Sequence, residues 1–99
     1  MSVAVAAPRS TTELAERYKQ AWVDEDLEAI LALHTPDYTE FVMHGAHGVQ
    51  KWEGTDACRG AFDYLLRVAP GWSWETTSLV VHGDFYVAHH NLTGTLVLP

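Results

Sequence analysis

The stretch from Trp72 to Leu98 constrains the fold most, because it has the pattern of a long β-hairpin. Two runs rich in β-branched and aromatic residues, SWETTSLVVH and FYVAHHNLTGTLVLP, flank the dipeptide Gly83-Asp84, which predicts the turn between them. The second run carries two adjacent histidines, His89 and His90. Since side chains alternate along a strand, these imidazoles must point to opposite faces of the sheet, and at most one belongs to a buried site.

Composition restricts the partners that this chain can have. Its 99 residues suffice for one domain with one core, and six Lys and Arg against 13 Asp and Glu give a formal charge of −7. No basic cluster offsets this charge, so nucleic-acid binding is opposed electrostatically. The lone Cys58 favours a reducing compartment. No window approaches the roughly 20 apolar residues that span a bilayer, and no basic residue precedes the apolar N-terminal run as in a secretory signal. We therefore expect a cytoplasmic protein without membrane or nucleic-acid partners.

The residues before the hairpin predict three helices and one strand. A first helix capped by Ser10, Thr11 or Thr12 should run to about Asp24, and a second helix should be ended by Pro36. A strand over 38–44, an irregular glycine-containing loop over 45–54 and a third helix capped by Thr55 or Asp56 follow. The order helix, helix, strand, helix, strand, strand predicts an α+β fold with helices packed on one face of an antiparallel sheet. Residues 1–9 are predicted to be a flexible arm and 10–99 the domain.

Three segments, taken in order, carry a resemblance to a known family: RYKQAWVDEDLEAILALHTPDYTEF, WEGTDACRGAFDYL and the hairpin containing LTGTL. Over about residues 10–98 the chain resembles the SnoaL-like branch of the nuclear transport factor 2-like superfamily. The resemblance implies a cone of helices over a curved antiparallel sheet, with a pocket for a small hydrophobic molecule and an outer sheet face often used for dimerisation. Relatives include polyketide cyclases, ketosteroid isomerases, epoxide hydrolases and non-catalytic modules, so the fold alone decides no reaction.

The resemblance to ketosteroid isomerases assigns the first catalytic candidates. Arg17-Tyr18 matches their Arg-Tyr pair on the first helix, in which the tyrosine hydroxyl polarises the substrate carbonyl. Their catalytic aspartate falls on Val42, which cannot take a proton. Glu40 and His44 lie two residues to either side, on the same face of a regular strand, and either can serve as a displaced base. His44 is counted with Tyr18 among the catalytic candidates.

The last strand supplies further candidates. The Arg-x-Asp pair of the epoxide hydrolases falls on Asn91 and Thr93, so epoxide hydrolysis by that route is not expected. SnoaL-like cyclases use a His and Asp pair, and an imidazole suits proton transfer because it titrates near neutral pH. His90 is the catalytic candidate because its strand face is the less polar one, whereas the epoxide-hydrolase alignment would aim Asn91 and His89 into the pocket. The predicted substrate-binding residues are Trp22, Phe41, Trp52, Phe62, His89 and Asn91.

Histidine spacing gives no metal site. His44 and His47 have a His-x-x-His spacing, but a glycine-rich loop fixes no ligand geometry, and no acidic residue follows at a distinctive interval. We therefore predict neither a metal ion nor another cofactor.

Length separates this sequence from its relatives, which continue after the hairpin with two further strands. The sequence is then a fragment, a chain that pairs with a second copy, or a fold rebuilt with fewer strands; an unpaired apolar edge favours the homodimer.

Two functions remain. One is a cofactor-independent isomerase or cyclase acting on a polyketide-, steroid- or terpenoid-like carbonyl compound, with Tyr18 as donor and a histidine as acid or base. The other is a non-catalytic ligand-binding or assembly module, for which Val42, Asn91 and Thr93 argue.

Overall fold

The computed structural model describes residues 7–43 and 48–97. Strands β1 (Thr39–Met43) and β2 (Val49–Glu53) form one antiparallel sheet, and strands β3 (Ser73–His82) and β4 (Phe85–Thr93) form another, so the predicted α+β class is confirmed. Part of the predicted arm, residues 1–6, and the candidates His44 and His47 lie outside the described residues. Within the described ranges, no helix has the length and apolar character needed to cross a bilayer. The elements are α1 Thr11–Val23, α2 Leu27–Ala32, β1 Thr39–Met43, β2 Val49–Glu53, α3 Gly54–Val68, β3 Ser73–His82 and β4 Phe85–Thr93.

Side-chain caps fix the starts of the first two helices, and the first cap, Ser10, is one of the three residues predicted for it. The Ser10 hydroxyl accepts a hydrogen bond from the Glu13 backbone N–H at 3.1 Å, which satisfies a donor at the start of α1. Asp26 caps α2 in the same way, accepting from the Ala29 N–H at 3.1 Å. Between the two helices Glu25 has φ of 55°, a left-handed conformation that is uncommon outside glycine and turns the chain sharply.

One strand was not predicted: β2 occupies much of the segment expected to be a loop. It pairs with β1 from Thr39 opposite Glu53 to Met43 opposite Val49. The glycines bound the strand instead of interrupting it, since Gly48 and Gly54 have φ of 77° and 84° and lie just outside its two ends. The predicted start of α3 is also wrong. The helix begins at Gly54, and Glu53 occupies the cap position without a side-chain hydrogen bond.

The hairpin is confirmed, with its turn at Gly83-Asp84 and an irregularity at Thr77 that shifts the register between β3 and β4. The hairpin is attached to α1 at two points. The Thr11 hydroxyl donates to the carbonyl oxygen of Gly83 at 2.7 Å, and Lys19 Nζ donates to the Thr76 hydroxyl at 2.7 Å. These bonds hold one face of the hairpin sheet towards the helix.

The tightly packed core lies among the three helices. Ala21 of α1, Ile30 and Leu31 of α2, and Cys58 and Phe62 of α3 form one buried cluster. By contrast, β3 and β4 contain no fully buried residue, although they face α1. The space between the helices and the hairpin is therefore not filled by side chains, and it holds the cavity described next.

Candidate ligand-binding cavity

An apolar cavity of about 370 Å³ lies between α1, the end of α3 and the hairpin. Trp22 of α1 and Trp74 of β3 form part of its wall, with ring centroids 6.1 Å apart and planes only 27° from parallel. The Trp72 indole N–H donates to the Thr95 carbonyl oxygen at 3.0 Å, which fixes a third ring of the wall. Aliphatic side chains complete the lining: Val23, Leu65, Leu66, Val68, Leu92 and Leu96.

Three residues with acid-base chemistry line this cavity: Tyr18 of α1, Glu25 of the turn between α1 and α2, and Glu40 of β1. Burial raises the pKa of Tyr18 to about 12; a hydrogen bond from Trp22 opposes this shift, and the negative charge of Glu40 adds to it. Tyr18 is therefore a neutral phenol at physiological pH. It can donate a hydrogen bond to a ligand oxygen without losing its proton.

A hydrogen bond from a neighbouring tyrosine, Tyr38, orients Glu40. The Tyr38 hydroxyl donates to one carboxylate oxygen of Glu40, two residues along the same strand face. Burial raises the pKa of Tyr38, and the bond to Glu40 raises it further, so this hydroxyl also keeps its proton. The bond occupies one Glu40 oxygen and orients the carboxylate, which leaves the second oxygen to act as an acceptor.

His34, at the C-terminal end of α2, joins this cluster although the sequence did not single it out. Its ring centroid lies 4.0 Å from that of Tyr38, 5.2 Å from Tyr18 and 5.6 Å from Phe62. Its Nδ1 is 2.8 Å from the Ile30 carbonyl oxygen, an acceptor only, so Nδ1 carries the proton. Burial lowers the pKa of His34, while the bond to Ile30 and the charge of Glu40 oppose the shift.

A signal for His34 exists in the sequence. It lies four residues after Ile30, so a continued helical turn places both side chains on the same face, towards the core. The helix ends at Ala32, and the turn at Pro36 redirects the chain, which brings Tyr38 against the imidazole.

The predicted aromatic residues fall in three different environments. Trp22 lines the cavity, whereas Phe62 is buried in the core, where its ring contacts Trp22 at a centroid distance of 5.2 Å. Trp52 is half-buried and packs against the core cluster. Phe41 is 64% exposed, with the Lys51 ammonium 5.9 Å from its ring centroid. Because Phe41 follows Glu40 directly on a strand, it points away from the cavity.

The two hairpin histidines lie on opposite faces, and neither lines the cavity that contains Tyr18. His90 is half-buried on the α1 side, 5.4 Å from the Trp74 ring, with Nδ1 3.1 Å from the Thr76 hydroxyl. Burial lowers the pKa of His90, and the charges of Lys19 and His89 lower it further. His89 and Asn91 are exposed on the outer face, where His89 contacts Thr77.

The structure thus gathers only part of the predicted site. Tyr18 and Trp22 share a cavity with Glu40, which the sequence offered as an alternative base to His44. Trp72 and Trp74, next to and within β3, complete it. Among the described residues, no three His, Cys, Asp or Glu side chains are grouped so that they could hold a metal ion.

Comparison with known proteins identifies the fold family. The sequence profile of the SnoaL-like domain family matches residues 15–99. A protein of unknown function with a cystatin-like fold from Nostoc punctiforme has a similar structure, with a TM-score of 0.58 and 21% sequence identity over 93% of this chain and 68% of that chain. At this identity the likeness concerns the fold alone. None of the curated proteins matches this sequence.

Proposed function

We propose that this chain, which belongs to the SnoaL-like domain family, binds a small hydrophobic carbonyl compound in the apolar cavity and transfers a proton on it. The observation that carries the proposal is that Tyr18 and Glu40, a neutral donor and a carboxylate, line one predominantly apolar cavity, with Glu25 as a second carboxylate in its wall. Apolar pockets with a few convergent polar groups are typical of small-molecule sites. The compound would be polyketide-, steroid- or terpenoid-like, and the reaction an isomerisation or an aldol cyclisation that needs no metal.

Each group has a defined part in this reaction. The free oxygen of Glu40 accepts a proton from the carbon next to the carbonyl, while the Tyr18 hydroxyl donates a hydrogen bond to the carbonyl oxygen as negative charge develops there. In an isomerisation, Glu40 then returns the proton to a different carbon of the enolate. In a cyclisation, the enolate carbon attacks a second carbonyl of the same molecule, and the new alkoxide takes the proton. The apolar wall strengthens both interactions because it displaces part of the water around them.

Proton exchange on a simple ketone tests the proposal. The protein is mixed with β-tetralone in deuterated buffer, and exchange of the protons next to the carbonyl is followed by NMR. We expect Glu40→Gln to slow the protein-catalysed exchange by about 10²- to 10⁴-fold, the usual contribution of a general base. Tyr18→Phe should slow it by about 10²- to 10³-fold, as loss of an oxyanion donor does.

Matched controls separate this role from damage to the fold. Glu75→Gln and Tyr64→Phe make the same chemical changes at exposed positions outside the cavity, and both should exchange at the wild-type rate. Saturable ketone binding with exchange at the buffer rate would overturn the proton transfer. It would instead favour the second function, a non-catalytic binding module, which Val42 at the position of the family aspartate already supports.

We also infer that the chain forms a homodimer through the outer face of the β3–β4 sheet. Val80 and Val87 are paired across the two strands and are 59% and 64% exposed, and Phe85 beside them is 56% exposed. This apolar surface is continuous, and a second copy of the same face would remove it from water.

A further inference from the structure

We propose that the cavity selects ligands that carry positive charge, and that the compound it acts on bears an amine or quaternary ammonium group besides its carbonyl. The carbonyl part of this statement rests on the proposed function. The preference for a cation rests on two features of the cavity wall itself, its charge and its aromatic rings.

Among the described residues, the charged groups that line the cavity are both carboxylates, those of Glu25 and Glu40, and none of the lining residues is a Lys, Arg or His. Their hydrogen-bond donors in the described part of the chain are neutral. The Tyr38 hydroxyl donates to Glu40, and the Gly71 backbone N–H donates to Glu25 at 3.3 Å. Burial lowers the pKa of His34, whose ring packs against Tyr38, so this imidazole favours its neutral form.

The ion pairs formed within the described ranges leave both cavity carboxylates out. They join Arg17 to Glu13, Lys51 to Glu53, Arg59 to Glu28 and Arg67 to Asp63. The negative charge of Glu25 and Glu40 is therefore not cancelled by a neighbouring cation in that part of the chain. In an apolar, partly water-excluded space this charge attracts a cationic ligand and repels an anionic one.

The aromatic wall points to the same class of ligand. Three of the four tryptophans of the chain, Trp22, Trp72 and Trp74, line the cavity together with Tyr18. The face of an indole ring attracts ammonium groups through its quadrupole, more strongly than other aromatic rings do. A wall of leucines would serve a neutral hydrophobic ligand equally well. Indole rings beside carboxylates that form no ion pair within the described ranges favour a hydrophobic cation over a neutral ligand.

The test compares three probes of similar size that differ in charge. Binding to the full chain is measured by tryptophan fluorescence and by calorimetry for benzyltrimethylammonium, its neutral carbon isostere neopentylbenzene and the anion hydrocinnamate. We expect the ammonium to bind about tenfold more tightly than the isostere and hydrocinnamate to bind more weakly than either. Added salt should weaken binding of the ammonium and leave that of the isostere unchanged.

Substitutions of the two cavity carboxylates test whether the preference for the ammonium arises in the cavity. Glu25→Gln and Glu40→Gln should each reduce the preference for the ammonium over the isostere at least threefold, and Glu75→Gln, outside the cavity, should leave it unchanged. Retained binding of the neutral isostere shows that each variant still forms the cavity. Equal affinity of the wild type for ammonium and isostere, or tighter binding of hydrocinnamate, would overturn the inference.

The binding test of cation selectivity and the exchange test of proton transfer can fail separately. A protein that exchanges β-tetralone protons but does not prefer the ammonium retains the proposed function and contradicts the cation selectivity. A protein that prefers the ammonium but does not exchange the ketone retains the selectivity and loses the proton transfer.

Discussion

His34 links the helical core to the cavity wall. Its Nδ1–H bonds to Ile30 in the core, and its ring packs against Tyr18, which lines the cavity, and Tyr38, which donates to Glu40. A protonated imidazole at this place would have to be desolvated among aromatic rings. The neutral ring is therefore part of what keeps Tyr18 and Tyr38 in position.

Protonation of His34 should make stability depend on pH. Because burial lowers the pKa of His34 below its ordinary value of 6.5, the unfolded chain binds a proton in a range where the folded chain does not. The contribution of His34 to the free energy of unfolding is therefore fully present above the ordinary pKa of 6.5. It is lost as the pH falls from there towards the lower pKa of the folded state. Urea unfolding measured from about pH 7.5 to about pH 5 should show this loss, and His34→Asn should flatten the slope of unfolding free energy against pH.

The exposed His82 provides the control for that measurement, since His82→Asn removes a histidine outside the helical core and should keep the wild-type slope. The absolute stability of the His34 variant is not the readout, because loss of the ring contacts lowers it at every pH. Equal slopes of unfolding free energy against pH for wild type and His34→Asn would contradict the assignment of this pH dependence to His34.

At the scale of elements, strand alternation decides which residues reach the cavity. On β1, Glu40 points in and Phe41 points out, and on β4 the half-buried side chains are Tyr86, Ala88 and His90. Close backbone contact matters as much at the end of the hairpin. The Trp72 ring packs directly on Gly94, so that a Cβ at this position would overlap the ring. Gly94 therefore sets the position of one cavity wall.

Gly94→Ala should shift Trp72 and disturb the cavity. We expect a loss of about 1–3 kcal/mol of unfolding free energy, typical of overpacking, together with weaker binding of benzyltrimethylammonium. Gly60→Ala is the matched control, because a Cβ at this exposed position of α3 meets no other atom within 4 Å. It should stabilise the protein by about 0.5–1 kcal/mol through higher helix propensity. Thermal and urea unfolding distinguish the two variants. An unfolding free energy of Gly94→Ala equal to that of the wild type would show that Trp72 can move freely.

At the scale of the whole molecule, the sequence predicted the helices and the hairpin because their signals are local. Caps such as Ser10, the break at Pro36 and the turn at Gly83-Asp84 each act within a few residues. The strand β2 was missed because its pairing partner, not its own glycine-flanked sequence, determines its conformation.

The candidate site was predicted only in part for a related reason. Tyr18 and Trp22 follow from helical periodicity, but the choice between Glu40 and other bases depends on where β1 lies against α1 and α3. His90 was chosen on the polarity of its strand face. That face does turn towards α1, yet His90 packs against Trp74 and lies near Lys19 without lining the cavity itself, and only the packing of the hairpin reveals this.

The exposed outer face of the hairpin sheet gives the molecule a way to associate. Val87→Lys places a charge in the middle of the surface that Val80, Val87 and Phe85 form, and it should shift the monomer–dimer equilibrium towards monomer by at least about tenfold in Kd. Val49→Lys, at a 62% exposed position on the β1–β2 sheet, makes the same change in size and charge away from this face. Sedimentation equilibrium should therefore show a dimer for wild type and Val49→Lys. A monomeric wild type, or a Val87→Lys variant that dimerises equally well, would contradict the proposed interface.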